Sequence, residues 1–287
     1  MPSHPVRSAL LAILVALVVV ALPQVAPGAP LGTSGALVLE PLTETADADE
    51  TDPAWSPDGS TLLVTRRDED GSALVAIDLE RGAAAEVVRD AEAGDWSPDG
   101  RSIVFVRGGE LWVVAASGGE AVRISEPDAE ATFTDPAWSP DGSLIAATVT
   151  PDGSGPAGQE VGVLPAAGGA VRLLTSSSDD DDATTWVSAH EPAWHPDGRS
   201  LIYTRRLGDG TALHRVALSD GADAALLPPP VDDDPSTEAA AAPSPDVGWL
   251  AFWGDGSVWL VDPAAPALRR RLTLPEENLD EPAFSPD

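Results

Sequence analysis

Asp52-Pro53-Ala54-Trp55-Ser56-Pro57-Asp58-Gly59 is the stretch that decides the fold, because the chain keeps returning to it. It recurs as Gly94-Asp95-Trp96-Ser97-Pro98-Asp99-Gly100, as Asp135-Pro136-Ala137-Trp138-Ser139-Pro140-Asp141-Gly142 and as Glu191-Pro192-Ala193-Trp194-His195-Pro196-Asp197-Gly198. A worn copy reads Ala242-Pro243-Ser244-Pro245-Asp246-Val247-Gly248, and Glu281-Pro282-Ala283-Phe284-Ser285-Pro286-Asp287 opens another. Ser-Pro-Asp-Gly has the chemistry of a type I turn, with Pro at the second position and Gly at the fourth. Each copy has an apolar residue before the turn and an apolar run after it, which is a β-hairpin.

The aromatic positions Trp55, Trp96, Trp138 and Trp194 are spaced by 41, 42 and 56 residues, and Pro243 and Phe284 continue the series at 49 and 41. A period of about 40–45 residues is the size of a four-stranded propeller blade. After the motif strand come a second apolar run (Leu62–Val64, Ile103–Phe105, Leu144–Ala146, Leu201–Tyr203, Leu250–Phe252) and a third (Leu74–Ile77, Leu111–Val114, Val161–Leu164, Leu213–Val216, Val258–Val261). Short fourth runs such as Val122–Ile124 and Arg271–Thr273 close each unit. The expected fold is an all-β propeller of four-stranded antiparallel blades starting near residues 53, 94, 136, 192, 241 and 282. It is six-bladed, with the sixth blade incomplete in this chain. The leader at 29–52 contains Ala36–Leu39, which is placed to close the ring as an outermost strand. A five-bladed ring with residues 281–287 as a tail is the rival arrangement.

Composition narrows the function. Hydrophobic content of 43% supports a sizeable core, and 28 Pro with 26 Gly suit short strands and tight turns. There is no Cys, so disulfides and thiolate chemistry are excluded. The net charge of −31, with Arg supplying all 16 basic residues, disfavours nucleic acid and anionic lipid as partners and favours cationic ones. Residues 1–28 read as a signal peptide or N-terminal anchor: Arg7, an apolar run from Ala9 to Leu22, then Ala26-Pro27-Gly28 as a small-x-small cleavage site. The expected location is the periplasm, cell envelope or exterior, with any membrane link made only through an uncleaved N-terminal segment.

At the level of chemistry the sequence holds no nucleophile elbow, P-loop or dinucleotide fingerprint. Asp68-Glu69-Asp70-Gly71 imitates part of a calcium loop, but Arg66 stands at its first ligand position, so it reads as a hairpin turn. His190 and His195 flank one motif at opposite ends of a strand, and His214 occupies the slot of Trp112 and Trp259. Insertions at Pro151–Gly158, Ser176–Asp182 and Pro228–Ala241 are expected to crowd one face of the disc. The best constellation comes from the repeat itself. Three residues before the aromatic stand Asp52, Asp135, Glu191 and Glu281, and eleven after it Arg66, Arg107 and Arg205. These seven are the candidates for a binding site at the channel mouth. No catalytic residues, metal ligands or resident cofactor are assigned, beyond weak binding of a divalent cation such as calcium.

The Pro-Ala-Trp-Ser-Pro-Asp-Gly units, the Leu111-Trp112-Val113-Val114 strand and the Arg271-Leu272-Thr273 run resemble the propeller repeats of the TolB family over residues 36–287. The resemblance implies a six-bladed, exported, monomeric scaffold that binds a protein or peptide without catalysis. TolB carries an α/β domain ahead of its propeller, and residues 29–52 are too short for one. Related propellers cap prolyl oligopeptidases, so the alternative is the propeller of an exported serine peptidase whose catalytic domain lies beyond Asp287. N-terminal mass spectrometry on native cells is expected to find a chain beginning at Ala29, whereas an intact Met1 on a cytosolic protein contradicts export.

Overall fold

The computed structural model describes residues 48–126, 131–151, 158–176, 187–207, 210–227, 237–246, 248–266, 269–272 and 282–286. The N-terminal segment, the Ala36–Leu39 strand, Glu281 and most of the three insertions lie outside the described residues.

The described residues form five four-stranded antiparallel sheets, each in chain order from one edge to the other. These are blade 1 (Asp49–Arg89), blade 2 (Glu92–Arg123), blade 3 (Ala131–Leu173), blade 4 (Val187–Ala225) and blade 5 (Ala239–Arg271). The motif strand is innermost in each, and successive innermost strands lie side by side around one axis. Among the described residues the expected sixth blade is not seen as a sheet, and residues 282–286 are not part of a strand. Pro282 nevertheless lines the same central depression as Pro53, Pro136 and Pro192, its equivalents in the repeat.

The middle of each second strand is largely apolar because it is buried on both faces. In blade 1, Leu63 packs with Leu74 against Ile103 and Phe105 of blade 2, while Leu62 and Val64 join Val75 and Ile77 on the opposite face. The same alternation places Val104 against Ile145 between blades 2 and 3, Ala146 against Leu201 between blades 3 and 4, and Ile202 against Leu250 between blades 4 and 5. Full burial of each Val, Leu, Ile or Phe side chain among these is worth about 1.5–3 kcal/mol.

The turn motif is stitched by its own side chains. Ser56 Oγ donates to Asp58 at 2.7 Å and accepts from Thr61 N at 2.9 Å, so one buried hydroxyl closes the hairpin. Ser97, Ser139 and Ser244 do the same. In blade 4, His195 Nδ1 takes the hydroxyl's place, 3.0 Å from Asp197. The Ser56 and Ser60 hydroxyls with the Ser60 N–H hold the Asp58 carboxyl down to about 2. The turns also interlock. A Cβ on Gly142 would stand 3.3 Å from Pro98 of the preceding turn, and Gly142 has φ of 73°, so two constraints select glycine there.

The innermost strands begin earlier than the motif suggests, at Asp49, Glu92, Ala131, Val187 and Ala239. Each contains a bulge, where two residues face one on the second strand and so add one extra residue to the ladder. The first bulged residue is left-handed every time: Asp52 (φ 52°), Ala93 (48°), Asp135 (49°), Glu191 (54°) and Ala240 (47°).

Candidate functional site

These bulges position the candidate carboxylates. A strand sends alternate side chains to its two faces, here the two neighbouring blades. The bulge breaks that alternation and brings Asp52, Asp135 and Glu191 to the rim of one depression of about 240 Å³ on the axis. Pro53, Ala54, Pro136, Pro192, Ala193, Ala240, Ala241 and Pro282 form much of its wall. Asp95 also lines it, from a position where the other copies have Ala. Glu281 lies outside the described residues.

Buried threonines hold this geometry. Thr148 Oγ1, on the second strand of blade 3, donates to Asp135 at 2.8 Å and accepts the N–H of Glu191 in blade 4 at 3.0 Å. Thr204 repeats this one blade on, donating to Glu191 at 2.8 Å and accepting Ala240 N at 3.2 Å. Glu191 itself accepts Ala240 N at 2.9 Å. Thr65 accepts Ala93 N at 2.9 Å. All three threonines are completely buried, so each hydroxyl serves both as donor or acceptor within the disc and as a link between blades.

The carboxylates are electrostatically unequal. Burial raises the Asp135 carboxyl above its ordinary value, and the charges of Glu191 and Asp52 add to this, against hydrogen bonds from Thr148 and Thr134. Burial opposes ionisation of Glu191 too. There the hydrogen bond and charge of His190, with Thr204 and the Ala240 N–H, outweigh it and pull the carboxyl down.

The arginines do not join them. Arg66 donates to Glu50 at 2.6 and 2.9 Å, beside a separate recess of blade 1. Arg107 lies over the rings of Phe105 and Trp112, at 5.1 and 5.3 Å, and donates to the carbonyls of Arg89 and Asp90. Arg205 pairs with Asp223 at 2.9 Å in a cleft shared with Tyr203. The expectation that they share the mouth with the acids is therefore corrected. Lying at the far ends of the second strands, they meet local acceptors before they reach the axis. His214 also binds Asp223, at 3.2 Å. Among the described residues no three or more His, Asp or Glu side chains are grouped to hold a metal, and no helix is long and apolar enough to cross a membrane.

A family model described as the TolB beta propeller domain matches residues 44–236. The chain belongs to that family. Two solved TolB structures are similar to it. One, from Agrobacterium tumefaciens, has a TM-score of 0.68 at 18% identity, covering 87% of this chain and 90% of the other. The second, from Acinetobacter baumannii, has a TM-score of 0.63 at 18% identity, covering 84% and 57%. At this identity the TolB-fold likeness is one of architecture. A curated protein, the uncharacterized peptidase YuxL of Bacillus subtilis strain 168, is 27% identical over 211 residues, or 67% of this chain. The chain spans only 27% of that relative's length.

Replacing Thr148 by Val would leave the Glu191 N–H without its acceptor and Asp135 with one hydroxyl donor, Thr134, in place of two. Chemical denaturation is expected to show a loss of about 1–3 kcal/mol. A loss within about 0.5 kcal/mol, the range of an ordinary surface change, would contradict the linking role.

Proposed function

We propose that this chain is an exported propeller scaffold that binds a protein or peptide through cationic groups seated over the axial depression, without chemistry of its own. The observation that carries this reading is the convergence of Asp52, Asp135 and Glu191 on one depression whose wall is Pro and Ala. Fixed carboxylates around an apolar floor suit a Lys or Arg side chain, whose aliphatic stem covers apolar surface while its head meets the acids. The net charge of −31 adds long-range attraction for such a partner. In this reading the disc has six positions about its axis, the sixth marked by Pro282, and the protein acts as a monomer in the periplasm or cell envelope. Calcium is the competing occupant of the acidic rim.

A second reading makes the chain the propeller of a larger exported serine peptidase. The similarity to about a quarter of the peptidase YuxL favours it. A continuous reading frame encoding a Ser-Asp-His set beyond residue 287 would decide for it.

Titration calorimetry with a lysine-rich peptide tests the first reading. Asp52→Asn is expected to weaken binding by about 0.2–1 kcal/mol, and added salt to weaken it further. Binding that ignores both, or that calcium at millimolar concentration abolishes while itself raising the melting temperature, would overturn it.

A further inference from the structure

Blade 2 departs from the other blades at four linked positions. Ala93 stands where blades 1, 3 and 4 have an acid, Gly94 where they have Pro, Asp95 where they have Ala, and Val106 where they have the linking Thr. The structure gives these changes one account. Without a hydroxyl at position 106, the link of the Thr65, Thr148 and Thr204 type is absent from the seam with blade 3. Asp95 supplies another: its Oδ2 accepts Trp138 N of blade 3 at 2.7 Å, while Oδ1 accepts Trp96 N at 2.9 Å. Gly94 belongs to the same adjustment. A Cβ there would come within 2.7 Å of Leu63 and of Leu74, so the strand carrying Asp95 sits closer to blade 1 than a Pro would allow.

We propose that the seam between blades 2 and 3 is a proton-responsive joint, in which the Asp95 carboxylate replaces the threonine hydroxyl that ties other blades and takes up a proton under mildly acidic conditions. A threonine link is neutral at every relevant pH, whereas a carboxylate link is not. The titratable groups that line the depression with Asp95 are Asp135 from blade 3, Asp52 from blade 1 and Glu191 from blade 4. Blade 5 contributes Ala240 and Ala241, and no Arg or His lines the depression. Burial pushes the Asp95 carboxyl up to about 6, although the two N–H groups of Trp138 and Trp96 favour its ionised form. On protonation the seam trades a charge-assisted bond for a neutral one, and the depression loses one negative charge.

The sign of the stability effect follows from the raised value. The folded state holds this proton more tightly than the unfolded chain, where the carboxyl has its ordinary value of 3.8. The contribution of Asp95 to stability is therefore complete below about pH 4 and is lost as the pH rises through about 6.

Two measurements on the full chain test the joint. The carboxyl carbon of Asp95, followed by NMR in the wild-type protein, is expected to titrate with a midpoint above about pH 5, and a midpoint below that overturns the proposal. Asp95→Ala combined with Val106→Thr restores the composition of the other seams. As the pH falls from about 7 to 5, the melting temperature of the wild type is expected to rise relative to this variant. A difference that stays flat over that interval also overturns the proposal. Should the double variant not fold, the wild-type NMR midpoint alone decides.

Discussion

A single unfavourable backbone conformation, repeated in every blade, sets the centre of this molecule. A left-handed residue other than glycine costs about 1–3 kcal/mol and persists only where its surroundings over-determine it. Here it occurs at Asp52, Ala93, Asp135, Glu191 and Ala240, always three residues before the motif aromatic or its equivalent. At the last four of these positions the bulge is tied across the seam. The N–H of Ala93, Glu191 and Ala240 reaches a threonine of the preceding blade, and Asp95 takes over for the seam before Trp138. Were the strand regular, its side chains would alternate strictly between neighbouring blades, and the carboxylates at these positions would enter an apolar interface. The bulge turns them to the axis. Geometry at the centre and adhesion between blades are thus one arrangement, and a change to either should be felt in both.

The outline of this arrangement was legible in the chain. The spacing of the Trp residues gave the blade, Ser-Pro-Asp-Gly gave the hairpin, and the apolar second strands matched burial on both faces. Asp52, Asp135 and Glu191, which share one offset in the repeat, line one depression. What the sequence did not reveal was the bulge, because Asp, Glu and Ala carry no glycine-like signal for positive φ. The threonines were missed although a signal existed: Thr65, Thr148 and Thr204 each stand ten residues after a Trp, a fixed hydroxyl in an otherwise apolar strand. The arginines were misplaced for a related reason. Sequence offset located Arg66 along its strand but not its partner Glu50, a buried acid five residues before Trp55. Glu238 holds the corresponding place in blade 5, where it pairs with Arg269. Asp95 escaped notice because the acid of blade 2 had moved two positions along the motif.

Family membership and site geometry bear on function in different ways. The TolB propeller family accounts for the blades and their stacking, and propellers of one design serve unrelated roles. The case for a cationic partner rests on this chain's own residues: the acids on its axis, the Pro and Ala between them, and a surface without any lysine. The distribution of basic residues agrees with this. The arginines at the candidate positions are engaged elsewhere, Arg66 and Arg205 with acids of their own blades and Arg107 with carbonyls of Arg89 in blade 1 and of Asp90, and none of the three lines the depression.

A lysine-rich peptide carrying a photo-activatable benzophenone, irradiated with the protein and mapped by peptide mass spectrometry, reports where the cationic chain lies. Crosslinks are expected on the wall of the depression, at Pro53, Pro192 or Ala241, and are expected to be lost when salt is raised. Crosslinks confined to the Ser-Pro-Asp-Gly turns or to the outer strands would contradict binding there.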